Sequence, residues 1–251
     1  MALLKVESLT KSFGGVVAVD AVTFSVFAGQ IKAIIGPNGA GKTTVFNLIS
    51  GVDRPDTGSI TFGDKELTHM RPHRITALGM ARTFQQSLVF ERMTVLENVM
   101  VAREPRLHHG FFSYMLRLPG PRASEVSTRR FAIDCLKTAG ITTRLDDSAG
   151  NLPAGDRHRL EIARALATEP QIMLLDEPAA GLNTAETEEL AHIIKKIREQ
   201  GITVLLVEHD MGLVMDISDE IVVLDNGEKI TEGPPLLVQE DERVIEAYLG
   251  T

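Results

Sequence analysis

Residues Ile34-Ile-Gly-Pro-Asn-Gly-Ala-Gly-Lys-Thr-Thr44 match the pattern G-x-x-x-x-G-K-[ST] without a gap, a constraint few chains can satisfy in more than one fold. The run Ile31–Ile35 ahead of it is mostly apolar and reads as a buried strand. Residues 43–50 behind it read as a helix that Gly51 stops. Strand, loop and helix in this order are the setting in which a glycine-rich turn wraps a polyphosphate. Gly36, Gly39 and Gly41 let backbone N–H groups turn inward where Cβ atoms would obstruct, and Pro37, Asn38 and Ala40 complete the loop. Lys42 is placed to reach the β- and γ-phosphates and Thr43 to hold Mg²⁺. Thr44 follows in a helical first turn whose dipole favours anions. A chance lysine beside a glycine-rich turn is the competing reading, and the flanking elements weigh against it. The pattern implies a bound nucleotide.

The 251 residues allow one large α/β domain or a core with a smaller appended lobe. Residues 4–9 and 22–26 carry β-type patterning, as does the short stretch 59–62 between turns at 53–58 and Gly63-Asp64. These segments predict a small antiparallel sheet beside the nucleotide strand. Residues 94–102 and 123–139 look helical around a stretch rich in Gly, Pro, Arg and aromatics, which predicts a helical subdomain at about 86–155. The last third returns to strand–helix alternation, the sign of a parallel sheet with crossover helices. Its strands are expected at 172–175 and 202–207, with a helix between them that opens on a capping box of Asn183 and Glu186. Residues 221–224 and 228–231 flank Asp225-Asn226-Gly227, a strong hairpin signal.

Four apolar residues followed by Asp176-Glu177 form a Walker B pattern. A carboxylate ending a buried parallel strand lies where ligands of such sheets bind. Asp176 is therefore the expected Mg²⁺ ligand, directly or through water, and Glu177 the group that polarises an attacking water. Two solvated acids at a strand end are the plainer alternative.

With the order phosphate loop, Gln85, a signature-like segment at Leu152, Asp176-Glu177 and His209, nearly the whole chain resembles the ATPase subunit of an ABC transporter. Ala81-Arg-Thr-Phe-Gln85, Asp176-Glu-Pro-Ala-Ala-Gly-Leu-Asn183, Val207-Glu-His-Asp-Met211 and Ala247-Tyr-Leu-Gly250 most resemble the longer ATPase subunit of branched-chain amino-acid importers. The resemblance implies an α/β P-loop NTPase core with a mainly parallel sheet, an antiparallel β subdomain and an inserted α-helical subdomain. It implies one ABC ATPase domain over 1–251, its core at about 1–85 and 156–251. ATP and Mg²⁺ are the implied ligands, ATP hydrolysis the implied activity, and import of branched-chain or related amino acids the implied purpose. Phe13 would stack on adenine, Gln85 would sense Mg²⁺ and the attacking water, and His209 would hydrogen-bond the γ-phosphate. Leu152 and Gly155 would face ATP held by a second subunit, and residues 180–183 would cross to that subunit. The implied partners are a second ABC ATPase in a head-to-tail, heterodimeric pair and integral membrane permease subunits. The chain would then be peripheral at the cytoplasmic face of the inner membrane, held there only through the permease.

One segment departs from the family. Its signature resembles Leu-Ser-Gly-Gly-Gln, whereas here Leu152-Pro-Ala-Gly-Asp156 stands in its place. Pro153 sits comfortably at a helix start but removes a hydroxyl and an N–H, and Asp156 adds negative charge. The expectation is an asymmetric pair. Lys42, Asp176, Glu177 and His209 serve this chain's own ATP, while the altered segment weakens the partner's site. Neutral drift is the alternative.

Other classes are disfavoured. The net charge of −8 argues against a broad nucleic-acid surface, and no apolar run approaches the thickness of a bilayer. Met1-Ala-Leu-Leu-Lys-Val-Glu alternates like a strand and lacks the build of a signal peptide. The single Cys135 excludes an intramolecular disulfide and reads as a small core residue. Two functional alternatives stand beside the importer: an ATPase for lipopolysaccharide extraction, and a catalytically impaired ATP-binding regulatory subunit. The stretch 103–122, with Phe111, Phe112, Tyr114, Met115 and Leu116, is expected either to dock on a permease or to close its own lobe.

Overall fold

A computed structural model describes residues 2–83, 89–103 and 120–249. The chain forms two compact units, one from residues 1–82 with 171–251 and the other from 83–170.

The first unit opens with strands β1 (Ala2–Phe13), β2 (Val16–Phe27) and β3 (Ile31–Ile35), then helix α1 (Lys42–Ile49). Strands β4 (Thr57–Phe62) and β5 (Lys65–Glu66), helix α2 (Pro72–Ala77) and strand β6 (Met80–Arg82) complete its first half. The second unit supplies α3 (Val95–Arg103), α4 (Gly120–Thr138) and α5 (Ala154–Ala167). The chain then returns through β7 (Ile172–Asp176), α6 (Thr184–Glu199), β8 (Thr203–Val207), α7 (Met211–Ile217) and β9 (Glu220–Asp225). It ends with β10 (Glu228–Gly233), α8 (Pro235–Gln239) and α9 (Glu242–Leu249).

Two sheets form the first unit. The larger runs β10-β9-β3-β8-β7-β6, with every neighbouring pair parallel except the β9–β10 hairpin at one edge. Strands β3, β7 and β8 are buried at every position, which fits their mostly apolar runs and the two covered faces of a parallel sheet. The smaller sheet is antiparallel throughout, in the order β2-β1-β4-β5. In β1 the residues Leu4 and Val6 are buried while Lys5 and Glu7 face outward, the alternation that gives this sheet one inner face. Phe24, Val26, Ile60 and Phe62 from the small sheet share a core with Val45, Phe46 and Ile49 of α1 and with Leu174, Leu205 and Val222 of the large one. The expected α/β core with an antiparallel subdomain is what the chain forms. The hairpin falls at Asp225-Asn226-Gly227, with Asn226 in the left-handed region at φ 46. The Asn183–Glu186 capping box is present, each side chain accepting from the other residue's backbone N–H.

In the second unit α3 begins on a reciprocal box of its own, Thr94 with Glu97. The buried Asn98 is satisfied by the Phe90 and Thr94 carbonyls and by the Phe90 N–H. Helices α3, α4 and α5 pack together around Leu96, Val99, Leu136 and Leu160. Because the apolar face of α5 is buried against the other two helices, this unit runs to 170 rather than ending at 155. Cys135 is buried in α4.

Candidate nucleotide-binding site

The carboxyl ends of β3, β7 and β8 lie side by side in the large sheet, and each carries part of the site. This is where open α/β sheets place their ligands. Beyond β3, the loop turns at Gly36, where φ is 150 and an added Cβ would meet the Leu224 carbonyl oxygen at 2.0 Å. At Gly41 φ is 96 and an added Cβ would lie 2.5 Å from the Ala18 carbonyl oxygen, so neither position admits a side chain. Asn38 and Gly39 are exposed at the crest, Pro37 is half-buried and Ala40 is buried. Lys42 opens α1, with its Nζ donating to the Gly36 carbonyl at 2.7 Å and the Pro37 carbonyl at 2.9 Å. Burial lowers the Lys42 pKa, and the nearby Glu177 carboxyl opposes that shift. Thr43 is exposed and Thr44 half-buried on the first turn.

Asp176 ends β7 and is buried, and its Oδ2 accepts from Arg82 Nη2 at 2.8 Å. Arg82 also donates through Nη1 to Asn47 Oδ1 at 2.9 Å and Ser50 Oγ at 2.6 Å. The guanidinium therefore ties the end of β7 to α1 and to β6. Glu177 has φ 47, an uncommon backbone for a residue with a Cβ. Its N–H donates to the Val207 carbonyl at 2.9 Å, and its own carbonyl accepts from the Ala180 N–H at 3.1 Å. The left-handed turn folds the chain sharply after the strand and leaves the Glu177 side chain half-buried. His209 follows β8 with an imidazole 61% exposed, free to meet a ligand.

Phe13 ends β1 with its ring 48% exposed, and Lys11 Nζ stands 5.3 Å from the ring centroid. An exposed aromatic face can stack on a base, whereas a core phenylalanine would be covered. Gln85 falls outside the described residues, as does most of the aromatic stretch 103–122. In the second unit, Pro153 caps α5 and Gly155 is buried in its first turn. The Leu152 side chain is buried as well, so only its backbone can face a ligand. Arg157 fixes this entry by donating to the Leu152 carbonyl at 3.0 Å and the Gly150 carbonyl at 2.8 Å. The Asp156 carboxyl lies 3.9 Å from Arg144 and 3.8 Å from Arg159, so its added charge has basic company.

Two residues at this site, Arg82 and Glu208, take no role from the sequence although both stand in segments that carry the family resemblance. Arg82 lies 94 positions from Asp176, and Glu208 lies 29 positions from its Ala179 partner.

Comparison with known proteins identifies the family. Residues 19–180 match the family described as ABC transporter, and residues 228–251 match the family described as branched-chain amino acid ATP-binding cassette transporter. The chain belongs to the ABC transporter family. This cassette is 44% identical over 99% of its length to the high-affinity branched-chain amino acid transport ATP-binding protein BraF of Pseudomonas aeruginosa, covering 98% of that protein. It is 43% identical to LivG of Escherichia coli K12, a protein of the same description, with 99% and 98% covered. Among solved structures, the ADP conformation of an ATP-binding cassette of an ABC transporter matches the cassette with a TM-score of 0.86. That match has 32% identity and covers 100% of both chains.

Proposed function

We propose that this cassette binds and hydrolyses ATP to energise uptake of branched-chain or related amino acids through a membrane permease. The observation that carries the reading is the gathering of Lys42, Asp176, Glu177 and His209 at adjacent carboxyl ends of one sheet. The Lys42 ammonium, now resting on two loop carbonyls, can swing to the β- and γ-phosphates. Loop N–H groups and the α1 dipole meet the remaining charge. Phe13 covers the adenine. Glu177 accepts a hydrogen bond from the attacking water and orients it in line with the γ-phosphate, while His209 holds a γ-oxygen. One hydroxyl and one carboxyl, Thr43 and Asp176, suit Mg²⁺, which binds few protein ligands beside substrate phosphates, and Gln85 joins them. The ion would supply neutralisation of phosphate charge.

Cargo rests on relatives described as branched-chain amino acid transport proteins and on the matching C-terminal segment. These also favour import over lipopolysaccharide extraction. No described helix is long and apolar enough to cross a membrane, in keeping with a peripheral subunit held at the cytoplasmic face by its permease. The partner is a second, different ATPase in a head-to-tail pair. Asp156 is flanked by Arg144 and Arg159, so the altered signature weakens the partner's site chiefly through the hydroxyl and N–H that Pro153 removes.

Phosphate release is measured for the chain alone, for the assembly with the second ATPase and permease, and for Glu177→Gln in both settings. Little turnover alone and Glu177-dependent turnover on assembly are expected. Turnover by the assembly that Glu177→Gln leaves undiminished would sink the hydrolytic assignment, since the weakened partner's site accounts only for a small remainder. Vigorous turnover by the chain alone would sink the asymmetric pair.

A further inference from the structure

Beneath the Glu177 turn lies a carboxyl group with no assigned role. Glu208 follows β8 and is 0% exposed. Oε1 accepts from the Ala179 N–H at 2.7 Å. Oε2 accepts from the His209 N–H at 2.9 Å and the Asp210 N–H at 3.3 Å. All three donors belong to the loops that carry Glu177 and His209. Ala179 stands two residues past Glu177, inside the turn whose left-handed backbone needs external support. The His209 imidazole is not the partner: its Nδ1 is 3.8 Å from Oε2, beyond hydrogen-bond reach. The contact is made through backbone.

We propose that Glu208 is a positioning residue that locks the Glu177 turn and the His209 loop into one rigid piece. The proposal rests on the hydrolytic reading of those two residues. A buried carboxyl with both oxygens on N–H donors fixes its partners to within the short range of a hydrogen bond. The water-orienting carboxyl and the imidazole that meets the γ-phosphate then keep a constant separation. Displacement of residues 180–183, which follow Ala179 directly, is transmitted to His209 along the same path. An apolar residue of similar size would fill the volume but leave the buried Ala179 N–H unpaired and take the acceptor from the part-buried His209 and Asp210 N–H groups.

Glu208→Gln retains size and shape, yet its NH₂ must face N–H donors on one side or the other. In the assembled complex with MgATP, kcat is expected to fall about 10- to 100-fold while KM for ATP stays within about threefold, since removing an interaction made by catalytic loops acts on the transition state. Backbone amide exchange in the isolated chain is expected to speed at Ala179, His209 and Asp210 together, with global stability less affected. In a His209→Ala background the further loss from Glu208→Gln is expected to shrink, because the two act as a unit. Glu208→Asp, which keeps both acceptors but is shorter, is expected to retain more kcat than Glu208→Gln. Unchanged kcat, a change confined to KM, or additivity with His209→Ala would each overturn the proposal. So would failure of both Glu208 variants to fold, which would make the role purely structural. If the wild-type complex releases no phosphate, the hydrolytic reading fails by itself, and amide exchange still decides whether Glu208 holds the two loops.

Discussion

Replacing Arg82 with Met tests the internal bracing of the nucleotide site. The Arg82 and Asp176 side chains are 8% and 5% exposed, so their ion pair is nearly free of solvent screening. The substitution removes the 2.8 Å bond to Asp176 and the bonds of 2.9 and 2.6 Å to Asn47 and Ser50. It also removes a guanidinium standing 5.7 Å from the Phe46 ring centroid. Methionine replaces much of the volume, so the main loss is the counter-charge of a buried acid. Breaking one side of such a pair destabilises by about 3–5 kcal/mol. For a chain of this size that lowers Tm by roughly 6–20 °C. Asp176→Asn removes the counter-charge from the guanidinium, which keeps its bonds to Asn47 and Ser50. The double variant Arg82→Met with Asp176→Asn should recover about 2–3 kcal/mol relative to the sum of the singles. Denaturant melts followed by circular dichroism, with all four proteins at one ionic strength, give the cycle. A single-variant loss below about 1 kcal/mol, or plain additivity, would refute the view that this pair braces the site.

Gly36→Ala is expected to lose about 1–3 kcal/mol and to bind MgATP poorly, because its Cβ would fall 2.0 Å from the Leu224 carbonyl oxygen; thermal melts and nucleotide titration check both. Burial pushes the Cys135 thiol from 9.0 up to about 12, so at pH 8 the native protein is expected to resist a thiol reagent that labels it promptly in denaturant. The folded state holds that proton more tightly than the unfolded chain. The resulting stability is complete below about pH 9 and drains away as pH rises toward 12, which alkaline melts of wild type and Cys135→Ala would separate. Pro153→Ser restores a hydroxyl and an N–H at the start of α5, and is expected to raise turnover at the partner's site by about tenfold in the assembled complex, read as phosphate release with this chain's own site silenced by Glu177→Gln.

Much of the architecture was legible because its signals are local. The strand–loop–helix at 31–49, the capping box at Asn183 and the hairpin at Asn226 each follow from a few adjacent residues. The groups that steady the site were not legible for the opposite reason. Arg82 and Glu208 stand inside segments that carry the family resemblance, yet their own roles come from partners 94 and 29 positions away that those segments do not reveal. Strand β6 spans only Met80–Arg82, too short for a period to register. The extent of the helical unit depends on which neighbours α5 covers, a property of packing rather than of the amphipathic stripe itself.

Lys32 in β3 is 1% exposed at the centre of the first unit, and its ammonium reaches the Ser25 carbonyl, Glu220 and Glu232. Those partners come from β2, β9 and β10, so one cation reports on three separate strand placements. A slip of one residue in the β9–β10 hairpin would turn Glu232 to the opposite face and cost the buried ammonium one of its two carboxylate partners. The arrangement works as a proofreading device. A misregistered hairpin keeps its backbone ladder and the Lys32–Glu220 pair but loses the second carboxylate, so only the native alignment gives the buried cation both partners, on the same β9 whose end at Leu224 packs against the nucleotide loop.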